Sequence, residues 1–271
     1  MIGSTIYRLA TCLSTNDVAK TLAAEGADDG TVVVADEQTG GRGTKGRGWH
    51  SAPGLGLYAS VILRPRRSDI ALIPALAGVA AAEAVGSAAG IKARLKWPND
   101  IVWRGKKLGG ILSESSFRGG DVSYVIVGIG LNIKHHLADF PADIRPTAAS
   151  LRLASKKPVD SARLERALWA SLEKWRGEFE RGRKQEIVRA FESRLVFPVG
   201  SRIMVDREAD SFAGTLRGLD AKARLVVESE GRLVLLSPAE IIRISKSPRF
   251  CEGDKQTDRC HGVGAPRRPN V

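Results

Sequence analysis

The sequence predicts an α+β fold: a mixed sheet with helices over most of the chain, then a small all-β module. Two observations predict it. Up to about residue 196, β-branched runs of strand length are interspersed with segments of helical periodicity. After Phe197-Pro198-Val199-Gly200 only short strand-like runs separated by turns remain. The expected bounds are 1–196 for the first domain and 197–246 for the β-module. A tail rich in Pro, Gly and charge, 247–271, is expected to be disordered.

The elements follow in order. Residues 4–13 read as a first strand. Ser14-Thr15-Asn16-Asp17 then starts a helix, with a hydroxyl cap, an acidic residue three positions on, and a stop at Gly26. Strands are expected over 31–35 and 57–63, and an alanine-rich helix over 70–90. Shorter strands follow at 93–97, 100–103 and 108–114, then a buried one over 124–133. In outline this is a sheet sandwich of roughly six strands and two helices. A proline-bearing loop spans 140–160. Leu164, Leu168, Leu172, Trp175 and Phe179 recur at helical spacing, and a second helical segment covers 185–195. The stripe Trp169, Trp175 and Phe179 is read as core. Strands at 202–205, 211–216, 224–228 and 232–236, with a fifth at 241–244, make the β-module.

Composition sets limits. With 271 residues, 43% hydrophobic and 27% charged, the chain can bury a full core. The net charge of +12 suits nucleic acid, an anionic membrane, or acidic small molecules and partners. No basic stripe with interleaved aromatics supports the first, and Pro74 and Glu83 make 70–91 a core helix rather than a span. Cys12, Cys251 and Cys260 form neither a disulfide framework nor a zinc pattern, and His261 does not change that. With no secretory leader read at the N-terminus, a reducing cytoplasm is expected.

The stretch Gly40-Gly41-Arg42-Gly43-Thr44-Lys45-Gly46-Arg47-Gly48-Trp49 carries five glycines and three cations in ten residues. It suits a phosphate or carboxylate held by backbone N–H groups and cations, or equally a solvated surface turn. Around it lie polar residues at strand and helix ends: Ser14-Thr15-Asn16, Gln38, Lys96-Trp97-Pro98-Asn99-Asp100, Lys107 and Asn132.

Taken together these motifs resemble the biotin–protein ligase family. The resemblance rests on Ser14-Thr15-Asn16, Gln38, Gly41-Arg42-Gly43-x-x-Gly46-Arg47-x-Trp49, Lys96-Trp97-Pro98-Asn99-Asp100, Lys107-Leu108-Gly109-Gly110-Ile111-Leu112 and Gly128-Ile129-Gly130-Leu131-Asn132. It covers most of residues 5–135. It implies a mixed-sheet catalytic domain of the biotin/lipoate ligase type with an SH3-like β-barrel at the C-terminus. It also implies a two-step reaction: biotin and MgATP give biotinyl-5′-AMP, and a lysine of a biotin carboxyl carrier protein then takes the biotin. Arg42, Lys107 and Asp100 would be catalytic. Ser14, Thr15, Asn16, Gln38, Gly41, Arg42, Gly43, Lys107 and Gly110 would hold biotin. Arg42, Thr44, Lys45, Arg47, Trp49, Asn99, Lys107 and Asn132 would hold ATP and the adenylate. Asp100 would either help bind Mg²⁺ or take the proton of the acceptor lysine.

The resemblance further implies a loop that is disordered until it folds over the ligand and shields the adenylate from water. Thr44 departs from the family pattern, which has a basic residue there. No room is seen for an N-terminal helix-turn-helix, so no DNA target is expected. No membrane partner is expected either, while a homodimer through the catalytic sheet is. The rivals are a lipoate-type protein ligase and, from another class, a basic non-catalytic nucleic-acid-binding protein. The first would lack the Gly-Arg loop and Lys-Trp-Pro-Asn-Asp; the second would need a basic stripe.

Overall fold

The structure, a computed structural model, describes residues 1–67, 69–155 and 158–247. The first part of the chain runs β1 (Ile6–Cys12), α1 (Thr15–Ala24), β2 (Val32–Gln38), β3 (Gly56–Leu63), α2 (Ile73–Ala89), β4 (Arg94–Lys96), β5 (Asp100–Trp103), β6 (Lys106–Arg118) and β7 (Asp121–Asn132). These strands make one seven-stranded sheet in the order β1-β2-β3-β7-β6-β5-β4. Only the β1–β2 pair is parallel; the other neighbours are antiparallel. The expected sandwich of about six strands is therefore a single seven-stranded sheet with helices on both faces.

Strand alternation explains the layers, because successive residues point to opposite faces. Val33, Ile62 and Ile126 pack with Ala19 and Ala23 of α1 on one face. Val32, Val34, Val61, Leu63, Val125 and Val127 belong to the larger core that contains α2. Helix α2 opens on a 3-10 turn, Ile70–Leu72, and ends at Gly90, whose φ of 67° is left-handed. The stretch Ile70–Ala89 has the length and hydropathy of a membrane span, but eleven of its residues from Ile73 to Val85 are buried inside the protein. Its one carboxylate, Glu83, accepts hydrogen bonds from Ser171, Trp175, Lys174 and Arg194. An apolar helix with a single matched charge is what a two-sided core requires.

Helices α3 (Leu151–Ala154), α4 (Ser161–Glu180) and α5 (Lys184–Glu192) follow. The Asp160 side chain caps α4 by accepting from Ala162 N and Arg163 N. Trp169, Trp175 and Phe179 are buried against α2, as a core stripe should be. The proline-bearing loop is more structured than expected, since it holds α3 and a 3-10 turn, Leu137–Asp139, just precedes it.

Strands β8 (Arg202–Arg207), β9 (Ser211–Leu219), β10 (Leu225–Ser229), β11 (Arg232–Leu236) and β12 (Ile241–Lys246) form a second sheet, ordered β11-β10-β9-β8-β12. All its pairs are antiparallel, as an SH3-like module requires; among the described residues no ladder joins β11 to β12. The Trp97 indole N–H donates to Ala223 O at 2.9 Å and so ties this sheet to the turn after β4. Cys12 is a free, half-buried thiol. Cys251, Cys260, His261 and the expected loose tail from 248 on lie outside the described residues.

Candidate active site

Helix α1 has only ten residues and packs on Val33, Ile62 and Ile126 of its face of the sheet. Beyond its N-terminus that face is open, and a cavity of about 380 Å³ lies there. Strand β7 forms its axis. Gly128, Gly130 and Asn132 share one face by alternation and all line the cavity. A Cβ at Gly128 would sit 2.4 Å from Asn16 Oδ1, and one at Gly130 would sit 2.6 Å from the Trp49 ring. The two glycines therefore let Asn16 and Trp49 lie directly on the sheet.

At the α1 end the polar groups form a closed mesh. Thr15 N and Oγ1 donate to Gln38 Oε1 at 2.9 and 3.1 Å. Gln38 Nε2 donates to Ser51 Oγ at 2.9 Å, and Ser51 donates to Trp49 O at 3.2 Å. Ser60, fully buried in the apolar strand β3, donates to Asn16 Oδ1 at 2.6 Å and lies 2.8 Å from Thr15 Oγ1. Asn16 Nδ2 donates to Glu114 Oε2 at 2.6 Å. Burial acts to raise the Glu114 carboxyl, but hydrogen bonds from Lys20 and Asn16 outweigh it and hold it below its ordinary value. The expected hydroxyl cap is absent: the Ser14 side chain makes no cap hydrogen bond, and the helix starts on backbone bonds to Ser14 O. The acidic residue three positions on, Asp17, is engaged by Arg42 instead, a stronger charge-assisted partner.

The glycine-arginine loop forms a hairpin in this structure. Trp49 N donates to Gly41 O at 2.8 Å, and Gly43 N to Arg47 O at 2.7 Å. Gly41 is pinched at the root, where a Cβ would lie 2.6 Å from Trp49 O. Lys45 turns at the tip with φ 58°. At the root, Arg42 meets a carboxylate of the protein, that of Asp17.

Lys107 stands between the two ends of the cavity. Its Nζ lies 2.6 Å from Asp100 Oδ1 and 5.4 Å from the centre of the Trp49 ring. Backbone bonds at 2.7 and 2.8 Å fix Lys107 to Thr147 and Ala149, bringing the 140–149 segment over the cavity. At this far end Asn132 Nδ2 donates to Ala149 O at 3.0 Å. Phe140 stacks on His135, with ring centres 4.7 Å apart. Burial pushes the His135 imidazole down to about 4. Both its ring nitrogens, and Trp49 Nε1, are buried without a hydrogen-bond partner.

Of the residues singled out from sequence, Ser14, Thr15, Asn16, Gln38, Arg42, Gly43, Thr44, Arg47, Trp49, Asn99, Asp100, Lys107, Gly110 and Asn132 line this cavity together. Gly41 and Lys45 do not. Gly41 sits behind the hairpin, and Lys45 Nζ donates outward to Ala239 O and Ile241 O at 3.2 and 2.6 Å. The sequence reading missed Ser60, His50, Phe140 and Ile144. Ser60 had a signal, as the single serine in the otherwise apolar and aromatic run 57–63; Phe140 and Ile144 had none beyond their place in a loop. Asp100 is the one carboxylate lining the cavity, and among the described residues no cluster of three metal-ligating side chains exists.

Residues 10–132 match the biotin/lipoate A/B protein ligase family. Over 233 residues the chain is 36% identical to the bifunctional ligase/repressor BirA of Bacillus spizizenii, covering 84% of this chain and 70% of that protein. It is 30% identical to the biotin–[acetyl-CoA-carboxylase] ligase of Mycobacterium tuberculosis, over 85% of this chain and 86% of the other. Among solved structures, the biotin protein ligase of Aquifex aeolicus in complex with biotin and ATP superposes with a TM-score of 0.77 at 27% identity, over 90% of this chain and 100% of that one.

Proposed function

The chain belongs to the biotin/lipoate A/B protein ligase family, among the biotin protein ligases, and from that premise we propose how its cavity activates biotin and hands it on. The overall activity is that of an ATP-dependent biotin–protein ligase, whose acceptor is the biotin carrier domain of a carboxylase. The observation that carries the residue assignment is the single open sheet face, along which a fixed polar end, two cations and an apolar end follow one another.

Biotin's ureido ring carries donors and an acceptor, and the mesh of Ser14, Thr15, Asn16 and Gln38 offers both. Gly43 and Gly110, which line the cavity, leave room for its backbone-close approach, whereas Gly41 lies outside it. The biotin carboxylate then points along β7 toward Arg42 and Lys107. A carboxylate oxygen attacks the α-phosphorus, the bond to the β-phosphate breaks, and pyrophosphate leaves. Anion meets anion in this step, so Arg42 and Lys107 act by neutralising the approach and the charge that develops. Thr44, Arg47, Asn99 and Asn132 frame the nucleotide, with Trp49 as an apolar wall. In the second step the acceptor amine attacks the acyl carbon, AMP leaves, and the amine proton needs a base.

Mg²⁺ enters with ATP in this reading. A single carboxylate suits a metal held mostly by phosphates and water. Asp100 can serve that metal in the first step and take the proton in the second, after pyrophosphate has gone. Lys45 is withdrawn from the nucleotide set, since its ammonium faces the small sheet.

A cytoplasmic location belongs to the same proposal, supported by the sparse cysteines. Binding to DNA or a membrane is not part of it: Arg8, Arg67, Arg176, Arg181 and Arg194 are each engaged by a carboxylate, and among the described residues the one span-length helix is mostly buried. A homodimer is supported by the family resemblance alone, and sedimentation of the purified chain tests it. The decisive measurement for the reaction is biotin-dependent ATP–pyrophosphate exchange run beside lipoate. Exchange with biotin and none with lipoate is expected; the reverse would make the chain a lipoate-type ligase.

A further inference from the structure

Arg42 is held by a carboxylate that the reaction itself does not use. Asp17 Oδ2 and Oδ1 accept from Arg42 NH1 and NH2, both at 2.6 Å, a bidentate pair. Glu114 Oε2 lies 3.8 Å from the same guanidinium and accepts from Asn16, while Glu114 Oε1 accepts from Lys20. Lys20 is also 3.8 Å from Asp17. Two carboxylates and two cations thus form a neutral patch where α1, β6 and the hairpin root meet.

The donor count shows what the patch allows. A guanidinium has five N–H groups, and Asp17 takes one from each terminal nitrogen. One N–H on each of those nitrogens, and the Nε–H, remain for an anion in the cavity. Arg42 can therefore keep Asp17 and bind a ligand carboxylate at once. Entropy points the same way. Ordering a glycine-rich segment costs more conformational entropy than ordering any other kind. If Asp17 docks the hairpin root during folding, that cost does not fall on ligand binding.

We propose that Asp17 is a positioning residue for Arg42: it docks the root of the glycine hairpin on α1 before biotin arrives and sets which N–H groups face the cavity. Glu114 secures the same patch through Asn16 and Lys20. The inference rests on the biotin reading of the cavity for its kinetic consequence, and on the ion-pair geometry alone for its structural one. The opposing arrangement, in which Asp17 competes with the ligand for Arg42, predicts the opposite sign.

The test uses the full chain with Asp17→Asn and Asp17→Glu. Two readouts are followed: KM and kcat for biotin in pyrophosphate exchange, and tryptic cleavage after Lys45 and Arg47 without ligand. Asp17→Asn should raise the biotin KM by about tenfold with kcat changed less than about twofold. Cleavage in the hairpin should quicken, and Asp17→Glu should restore much of both. An unchanged or lowered biotin KM in Asp17→Asn would overturn the proposal. So would a hairpin cleaved no faster than in the wild type. Should Asp17→Asn fail to fold, Asp17→Glu decides: protection near the wild type supports the dock, and cleavage as fast as in an unfolded chain overturns it. Failure of the wild-type chain to exchange with biotin would strike the functional reading instead, because the tryptic readout needs no biotin.

Discussion

The two ends of the cavity differ in how far folding has completed them. At the α1 end Thr15, Asn16, Gln38, Ser51 and Ser60 already satisfy one another through short hydrogen bonds. At the Asn132 end Trp49 Nε1 and both His135 nitrogens are buried without partners, among Phe140 and apolar neighbours. The contrast teaches a division of labour. A satisfied mesh has one arrangement, so it discriminates by donor and acceptor pattern. An apolar wall of rings discriminates by shape and tolerates adjustment.

The strongest challenge to this contrast is Lys107, which belongs to neither end. Lys107→Ala should cut turnover by on the order of 100- to 1,000-fold. Its melting temperature should barely move, since the side chain is one-third exposed. Near-normal pyrophosphate exchange would make it a surface lysine. The paired glycines sharpen the comparison next. Gly128→Ala pushes on Asn16 and Gly130→Ala on Trp49, each with a clash costing about 1–3 kcal/mol. The first should raise the biotin KM, and the second the ATP KM, by on the order of 10- to 100-fold. If both variants shift the same constant, the two ends are not separate.

His135 gives a smaller effect, read in stability. Its imidazole titrates at about 4 when folded, against roughly 6.5 in an unfolded chain. Between these values the unfolded state binds more protons, so stability rises with pH through that window and is flat above it. Lowering the pH from 6.5 toward 4 should therefore cost up to about 1.4 kcal/mol per unit. Urea midpoints at pH 5 and 7.5 measure it, and His135→Phe should remove that part of the slope. The smallest effect is expected at the rim. Thr44→Arg adds a cation to the hairpin and should slow adenylate release a few-fold; no slowing in a trapped-adenylate chase would mean the missing charge is immaterial.

Much of the site was legible because its requirements are local. Gly128-Ile129-Gly130 entered as a motif of the family resemblance, and the strand register then shows what its glycines are for, the close approach of Asn16 and Trp49. A cation after a turn, as at Lys107, keeps its place once the strand register is set. What was illegible depends on contacts between distant segments. Nothing near Asp17 says that Arg42 will meet it, and so the helix cap was misassigned. Pro141 and Pro146 marked a loop correctly. That Phe140 and Ile144 wall the cavity follows from the Lys107 backbone pairing with Thr147 and Ala149, which no periodicity encodes. Even the short strands β4 and β5 had their runs at 93–97 and 100–103; what the sequence left open was that they join the others in one sheet.

Lys45 and Trp97 lead to a last consequence. One reaches from the hairpin tip to Ile241 O; the other reaches from the turn that precedes Asp100 to Ala223 O. The hairpin tip and the turn before Asp100 are therefore moored to the same small sheet, although they lie about fifty residues apart in the chain. Any tilt of that sheet carries the hairpin tip and the Asp100 turn together, like two shutters on one hinge.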